Sequence, residues 1–173
     1  MKTFKKYLHS VNACQTAIDW AGDKTIEQVV ADCHRGDWLL WLAKKCGVEL
    51  QPLTLAKAHC ANTVRHLMTD ERSIKAVDVA IAFGQGRASR DELDTAAHAA
   101  DAARAAAAAY AYAAAYAAAY AAAYADAAAA AAAYADAAAD THANRMQTAD
   151  ICRKYIGDLI IQKVNETLNP TNQ

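Results

Sequence analysis

The fold is decided by residues 95–140, which read TAAHAADAARAAAAAYAYAAAYAAAYAAAYADAAAAAAAYADAAAD and contain neither glycine nor proline. Alanine loses no side-chain entropy on entering a helix, so such a run should form a helix as strongly as any natural sequence can. Residues four apart on a helix advance only about 40° around its axis. Five tyrosines therefore share one stripe on the predicted helix: Tyr112, Tyr116, Tyr120, Tyr124 and Tyr134.

The tyrosine stripe has two interpretations. In the favoured one it belongs to the core, with rings that lean over a neighbouring helix and hydroxyls that reach solvent or a backbone carbonyl. In the other it is a partner-binding surface, because exposed tyrosines are typical anchors of protein interfaces. A sector of almost pure alanine on the same helix would allow a second helix to approach closely. A homodimer formed through this sector is therefore a further option.

The first half of the chain carries helix start and stop signals rather than the alternating pattern of strands. Thr25 with Gln28 and Ser89 with Glu92 have the spacing of capping boxes. Asp37 is predicted to cap the helix that follows it. The predicted helices before the alanine-rich stretch are 13–20, 25–34, 38–45, 53–68 and 70–83. We therefore predict an all-α fold.

The domain organisation follows from the lengths of these segments. An uninterrupted helix of about 50 residues would be about 75 Å long, too long for a compact globule of this size, so the helix either protrudes as a rod or is interrupted. Asp140, Thr141 and Asn144 are the first capping-type residues after the alanine-rich stretch, so we place a break there. We predict a single all-α domain (1–173) with a short-helix half (1–83), a hinge loop (84–88), an alanine/tyrosine helix (89–140) and a C-terminal helix (141–169). The architecture is a helical bundle in which the short N-terminal helices pack on the two long ones.

Composition excludes several classes of function. The 173 residues include 18 basic and 19 acidic side chains, a formal charge of −1, so the basic excess of a nucleic-acid-binding protein is missing. Alanine is only weakly apolar, and Asp126 and Asp136 interrupt the alanine-rich stretch, which argues against a membrane span. The five cysteines lack paired spacing, and residues 1–10 are lysine-rich rather than a hydrophobic leader. We expect reduced thiols and a cytoplasmic location.

The sequence predicts neither a catalytic set nor a metal or cofactor site. Cys33-His34 and His59-Cys60 are adjacent pairs, and adjacent helical residues point about 100° apart, so both members rarely reach one metal ion. The glycines of Gly84-Gln85-Gly86 lack the lysine and the spacing that cradle phosphates. We therefore predict a protein that is not an enzyme and needs no cofactor.

The three tryptophans are predicted to form a structural cluster in the core, with an exposed hot spot for partner binding as the alternative. Trp38 and Trp41 are three residues apart, share a helix face, and could close over Trp20. Arg35 and Asp37 flank the cluster and are predicted to form a buried ion pair that ties adjoining helix ends.

Four segments of the chain resemble a family of alanine-rich immunity proteins from bacterial toxin systems and phages. They are Ala13-Cys14 with Ala17 and Trp20; Cys33 to Trp38 with Leu40-Trp41-Leu42; the YAAA and YADAAA repeats; and Ala149 to Ile156. The resemblance implies an α-helical protein that neutralises a partner by binding it, with no catalytic residues to carry over.

Our functional hypothesis is a non-enzymatic, cytosolic protein-binding protein or inhibitor, an immunity protein that neutralises a toxin or effector protein. Its partner would be a protein, without nucleic acid or membrane. A phage-encoded counter-defence inhibitor and a structural dimerisation protein are alternatives. Ice binding by the alanine-rich helix is a minor one, since regularly spaced threonines are missing.

Overall fold

The computed structural model describes residues 3–68, 70–100, 102 and 127–170. All regular secondary structure in these residues is helical, which confirms the all-α prediction. The helices are α1 (Phe4–Ser10), α2 (Gln15–Ala21), α3 (Ile26–Asp32), α4 (Gly36–Lys45), α5 (Leu50–Asn62), α6 (Glu71–Gly84), α7 (90–100) and α8 (Ala127–Leu168), with a 3₁₀ turn at Arg65–Leu67. Among these residues, none of the helices combines the length and hydrophobicity that crossing a bilayer requires.

The C-terminal half of α8 is the centre of the bundle. Helices α3, α4 and α5 pack on it, α6 packs on α5, and α1 packs on α2. Ala149, Cys152, Ile156, Ile160 and Val164 are spaced three or four residues apart and are almost fully buried. This spacing places them on one helix face, which forms a core with the apolar side chains of α1 to α5.

Two glycines mark places where helix backbones lie unusually close. A Cβ atom added to Gly36 at the start of α4 would lie 2.5–2.7 Å from Thr148 on α8, including its backbone carbonyl carbon. A Cβ atom added to Gly84 at the end of α6 would lie 2.5 Å from the Cβ of Leu55 on α5. Both crossings therefore depend on the missing side chain.

Several predicted helix boundaries are confirmed. Thr25 and Gln28 form both hydrogen bonds of a capping box at α3. The Ser89 backbone N–H donates to the Glu92 carboxylate at 2.7 Å, and the Glu92 N–H donates to Ser89 Oγ at 3.2 Å, just before α7. The chain turns between α6 and α7 in the predicted loop, where Gly86 has a φ of 72°.

Two predicted boundaries in the first half are wrong. Asp37 does not cap α4: the helix begins one residue earlier, at Gly36, and the Asp37 carboxylate pairs with Arg35 instead. The helix predicted over 53–68 runs from Leu50 to Asn62 and is followed by the 3₁₀ turn. At that end the Thr63 hydroxyl donates to the Cys60 carbonyl at 2.8 Å, a local bond that competes with the continuing helix.

The predicted break at residues 140–144 is also wrong, because α8 continues through it from Ala127 to Leu168. No glycine or proline lies there to stop the helix, and residues that can cap a helix can also sit inside one. The Asn144 amide donates to Thr63 Oγ1 at 2.9 Å, so it links α8 to the end of α5 instead of capping a new helix. The end of the alanine-rich stretch and the predicted C-terminal helix are one element of 42 residues.

Candidate binding site around three tryptophans

A cavity of about 360 Å³ opens between helices α1, α2, α3 and α4. Its lining is mainly apolar. Phe4, Leu8, Val29, Leu39 and Leu42 are lining residues that are also buried in the core. Trp20, Trp38 and Trp41 also line it, but each remains partly exposed. They pack against the core without being buried in it, so the predicted core cluster lies at the edge of the core. The cavity is therefore an apolar depression whose largest side chains lie at the protein surface.

Two of the tryptophans are in direct contact. Trp20 lies in the last turn of α2 and Trp38 in the first turns of α4; their ring centroids are 5.9 Å apart at an interplanar angle of 62°. The His34 ring meets Trp20 from another side, at 6.0 Å and 77°. Edge-to-face pairs of this kind are favourable and hold each ring in one orientation.

Each tryptophan also has a cation over its ring. Lys24 Nζ lies 4.5 Å from the centroid of Trp20 and donates to its backbone carbonyl. The guanidinium carbon of Arg35 lies 4.8 Å from the ring of Trp38, and Lys45 Nζ lies 5.7 Å from that of Trp41. These cation–π contacts place positive charge around a surface that is otherwise apolar.

The predicted Arg35–Asp37 ion pair forms, but it is not buried and does not tie adjoining helix ends. Arg35 Nε donates to Asp37 Oδ1 at 2.8 Å and Nη2 donates to Oδ2 at 2.6 Å, within the first turn of α4. The side chains are 26% and 57% exposed. Arg35 and Asp37 are only two residues apart in the chain. Because the Asp37 carboxylate does not cap α4, it can face the Arg35 guanidinium directly. It holds Arg35 over the Trp38 ring.

Two ionisable groups that line the cavity, Cys33 and Asp37, each keep one protonation state at neutral pH. Hydrogen bonds from the Arg35 guanidinium lower the pKa of the Asp37 carboxyl, so it remains ionised at neutral pH. Burial raises the pKa of the Cys33 thiol, which keeps it protonated. A general acid or base must change its protonation state near the working pH, and these two groups do not.

The two Cys/His pairs lie in different surroundings. Cys33 Sγ donates to the Arg35 carbonyl at 3.4 Å, whereas Cys60 Sγ lies 3.9 Å from Cys152 Sγ. The His59 ring stacks on Tyr155 with centroids 4.5 Å apart, and burial followed by the nearby Lys154 charge lowers its pKa. In the described part of the chain, no three His, Cys, Asp or Glu side chains are grouped so that they could hold a metal ion.

The predicted tyrosine surface is largely outside the part of the chain that the structure describes. Tyr112, Tyr116, Tyr120 and Tyr124 lie outside the described residues. Tyr134 lies on α8, in a section for which only the backbone is described. Whether the stripe belongs to the core or to an interface stays a prediction.

Sequence reasoning grouped the tryptophans but missed the lysines that complete the site. Trp20 and Lys24 are four residues apart, and so are Trp41 and Lys45. Trp41 and Lys45 both lie on α4, where side chains at this spacing are neighbours, so the sequence could have indicated this cation–π pair. Lys24 follows the end of α2 at Ala21, so helix spacing could not have indicated its contact with Trp20. The cavity itself had no such signal, because it depends on how α1 and α2 pack against α4.

Comparison of the chain with models of protein families, with curated proteins and with solved structures finds no significant match.

Proposed function

We propose that this protein is a non-enzymatic binding protein that inhibits a protein partner by taking an apolar side chain of that partner into the tryptophan cavity. The observation that carries the proposal is the set of three partly exposed tryptophans around an open apolar cavity. Tryptophan, tyrosine and arginine are the residues enriched at the energetic centres of protein interfaces. The resemblance to immunity proteins supports the same reading, in which the partner is a toxin or effector.

The lining of the cavity favours a protein side chain over a small polar metabolite. Its volume of about 360 Å³ lies at the low end for ligand pockets, enough for one large apolar side chain and part of its neighbour. Small-molecule sites fix their ligand with a few convergent polar groups. Here the carboxylate of Asp37 already bonds to Arg35, which leaves Asn12 and the weakly polar Cys14 among the polar side chains of the lining.

The charges beside the cavity indicate what surrounds the anchor on the partner. Lys24 and Lys45 lie over indole rings and make no salt bridge among the described residues. An acidic group on the partner could pair with either lysine without displacing an existing ion pair. We therefore propose an aromatic or aliphatic anchor flanked by Asp or Glu, since complementary charge sets register and speeds association.

The direct test uses the full chain as bait in lysate of the cells that express it. Wild type and two single variants are compared: Trp41→Ala, which removes one wall of the cavity, and Arg65→Ala, a matched surface control whose partner is Asp78 outside the cavity. We expect a stoichiometric protein that wild type and Arg65→Ala retain and that Trp41→Ala binds at least about tenfold more weakly, a loss of about 1.4 kcal/mol.

The same experiment can overturn the proposal. Recovery of no stoichiometric protein, or of one that binds Trp41→Ala as well as wild type, would contradict it. A chemical block gives an independent check, because Cys14 is exposed and lines the cavity. Coupling a bulky maleimide to Cys14 should abolish partner binding, while Cys14→Ser treated with the same reagent should bind normally.

A further inference from the structure

Cys60 and Cys152 form a pair that the tryptophan site does not use. Cys60 lies near the end of α5 and Cys152 on the buried face of α8, 92 residues apart in the chain. Their sulfur atoms are 3.9 Å apart. A disulfide bond is about 2.0 Å long, so the two sulfurs would need to approach by about 1.9 Å.

We propose that Cys60 and Cys152 are an oxidation site at which hydrogen peroxide converts the two thiols into a disulfide that ties α5 to α8. No strong hydrogen bond holds either sulfur atom in its present position. The other polar contacts of the pair are long thiol contacts to backbone carbonyls: Cys60 Sγ to Thr148 O at 3.7 Å and Cys152 Sγ to Gly36 O at 3.6 Å. Thiols are weak donors, so these contacts give way easily.

The two cysteines differ in a way that assigns their roles. Cys60 is partly exposed, whereas Cys152 is fully buried. A peroxide in solution therefore reaches Cys60 first. The hydrogen bond from the Cys152 thiol lowers the pKa of Cys60 and raises that of Cys152, and the thiolate is the reactive form. Burial instead raises the pKa of Cys33 and Cys46.

The chemistry has two balanced steps. In the first, the Cys60 thiolate attacks one peroxide oxygen; an S–O bond forms, the O–O bond breaks, and hydroxide leaves and takes up a proton to become water. In the second, Cys152 loses its thiol proton and its sulfur attacks Cys60; the S–S bond forms, and the sulfenic oxygen leaves as water with that proton. Two thiols are oxidised by two electrons, and the peroxide is reduced to water.

The disulfide would have a mechanical consequence for the bundle. It would link α5 to α8 beside the start of α4, where Gly36 already packs against Thr148. A cross-link between residues far apart in the chain removes conformational entropy from the unfolded state. Oxidation should therefore raise Tm, and reduction with dithiothreitol should return it to its original value.

The test treats the fully reduced, full-length protein with excess hydrogen peroxide and maps its cysteines by mass spectrometry. We expect the five free thiols to fall to three, with one dithiothreitol-reversible link between the peptides of Cys60 and Cys152. Cys14→Ser is the matched control and should form the same link. A link between other cysteines, or a treated protein in which both remain thiols, would overturn the proposal.

A second variant tests the order of the steps. In Cys152→Ala no partner thiol is available, so dimedone added with the peroxide should trap a sulfenic acid on Cys60. Trapping on another cysteine, with Cys60 unmodified, would contradict the assigned roles. If this variant fails to fold, the wild-type peptide map still decides whether the disulfide forms.

Discussion

Two groups of apolar residues on α4 differ sharply in their exposure. Leu39, Leu42 and Ala43 are almost fully buried, at 1%, 4% and 0% exposure, in the core that α4 forms with α8. Trp38 and Trp41 are much larger, yet they remain partly exposed beside cations. Hydrophobic size alone would place the tryptophans inside. The buried leucines and alanine of α4 therefore hold the fold, while its tryptophans remain partly exposed at the cavity for which we propose a binding role.

The largest loss of stability is expected from a substitution at Gly36, where α4 packs closely against Thr148 of α8. Gly36→Ala should destabilise the protein by roughly 4 kcal/mol, at or above the usual range for overpacking, because the new Cβ meets backbone as well as side-chain atoms of Thr148. Urea unfolding followed by tryptophan fluorescence measures the loss. Gly157→Ala is the matched control: its Cβ would meet only Val30 Cγ1, at 3.3 Å, and alanine favours the helix. Equal stability of the Gly36→Ala variant and wild type would contradict the close crossing of α4 and α8.

The next largest effect is expected at Leu39. Leu39→Ala should lower the free energy of unfolding by about 3 kcal/mol, since it removes most of a side chain that is 1% exposed and packed in the core. The same urea titration checks this value. A loss below about 1 kcal/mol would mean that the buried residues of α4 do not hold the bundle together.

Trp38 is adjacent in sequence and should behave differently. Trp38→Ala removes more atoms than Leu39→Ala, but the ring is partly exposed and its main specific contact is the edge-to-face pair with Trp20. We expect a loss of about 1 kcal/mol in stability and a much larger loss in partner binding. Equilibrium unfolding and calorimetric binding of the same sample separate the two. A stability loss as large as that of Leu39→Ala would place Trp38 in the core.

The smallest effect is expected at the ion pair beside Trp38. Arg35→Gln should cost about 0.5 kcal/mol at neutral pH, because the pair is partly exposed and screened by solvent. The hydrogen bonds from Arg35 make the Asp37 pKa lower in the folded than in the unfolded protein, so their contribution is present above the ordinary value of 3.8. This contribution to stability is lost as the pH falls from 3.8 through the lower pKa that Asp37 has in the folded protein.

Two measurements check the ion pair. The stability difference between wild type and Arg35→Gln should be constant from neutral pH down to about pH 5 and should close below it. In Arg35→Gln the carboxyl carbon of Asp37, followed by NMR, should titrate at a higher pH than in wild type. An unchanged midpoint would show that Arg35 does not control the Asp37 charge.

The parts of the fold that could be predicted are those formed by residues close together in the sequence. The capping boxes at Thr25 and Ser89 involve residues three apart, so the sequence contains all that forms them. The start of α4 was missed because the Asp37 carboxylate had two local partners, the helix N-terminus and Arg35, and bonded to the second. The predicted break near Asn144 failed because its partner, Thr63, is 81 residues away in the chain.

The candidate site was only partly predictable for the same reason. The grouping of Trp20, Trp38 and Trp41 followed from helix spacing. Their position at the surface did not, because it depends on which side of α4 packs against α8. The Cys60–Cys152 pair likewise joins two helices whose approach no short-range pattern records.

Occupation of the cavity can be observed directly, because the chain contains three tryptophans and all of them line it. The most direct measurement is the intrinsic tryptophan fluorescence of the protein, with acrylamide quenching, as its protein partner is titrated to stoichiometric binding. A partner side chain seated in the cavity should shift the emission to shorter wavelength and reduce the quenching constant. A partner that binds at one-to-one stoichiometry and leaves both the emission and the quenching unchanged would contradict recognition through the tryptophan cavity.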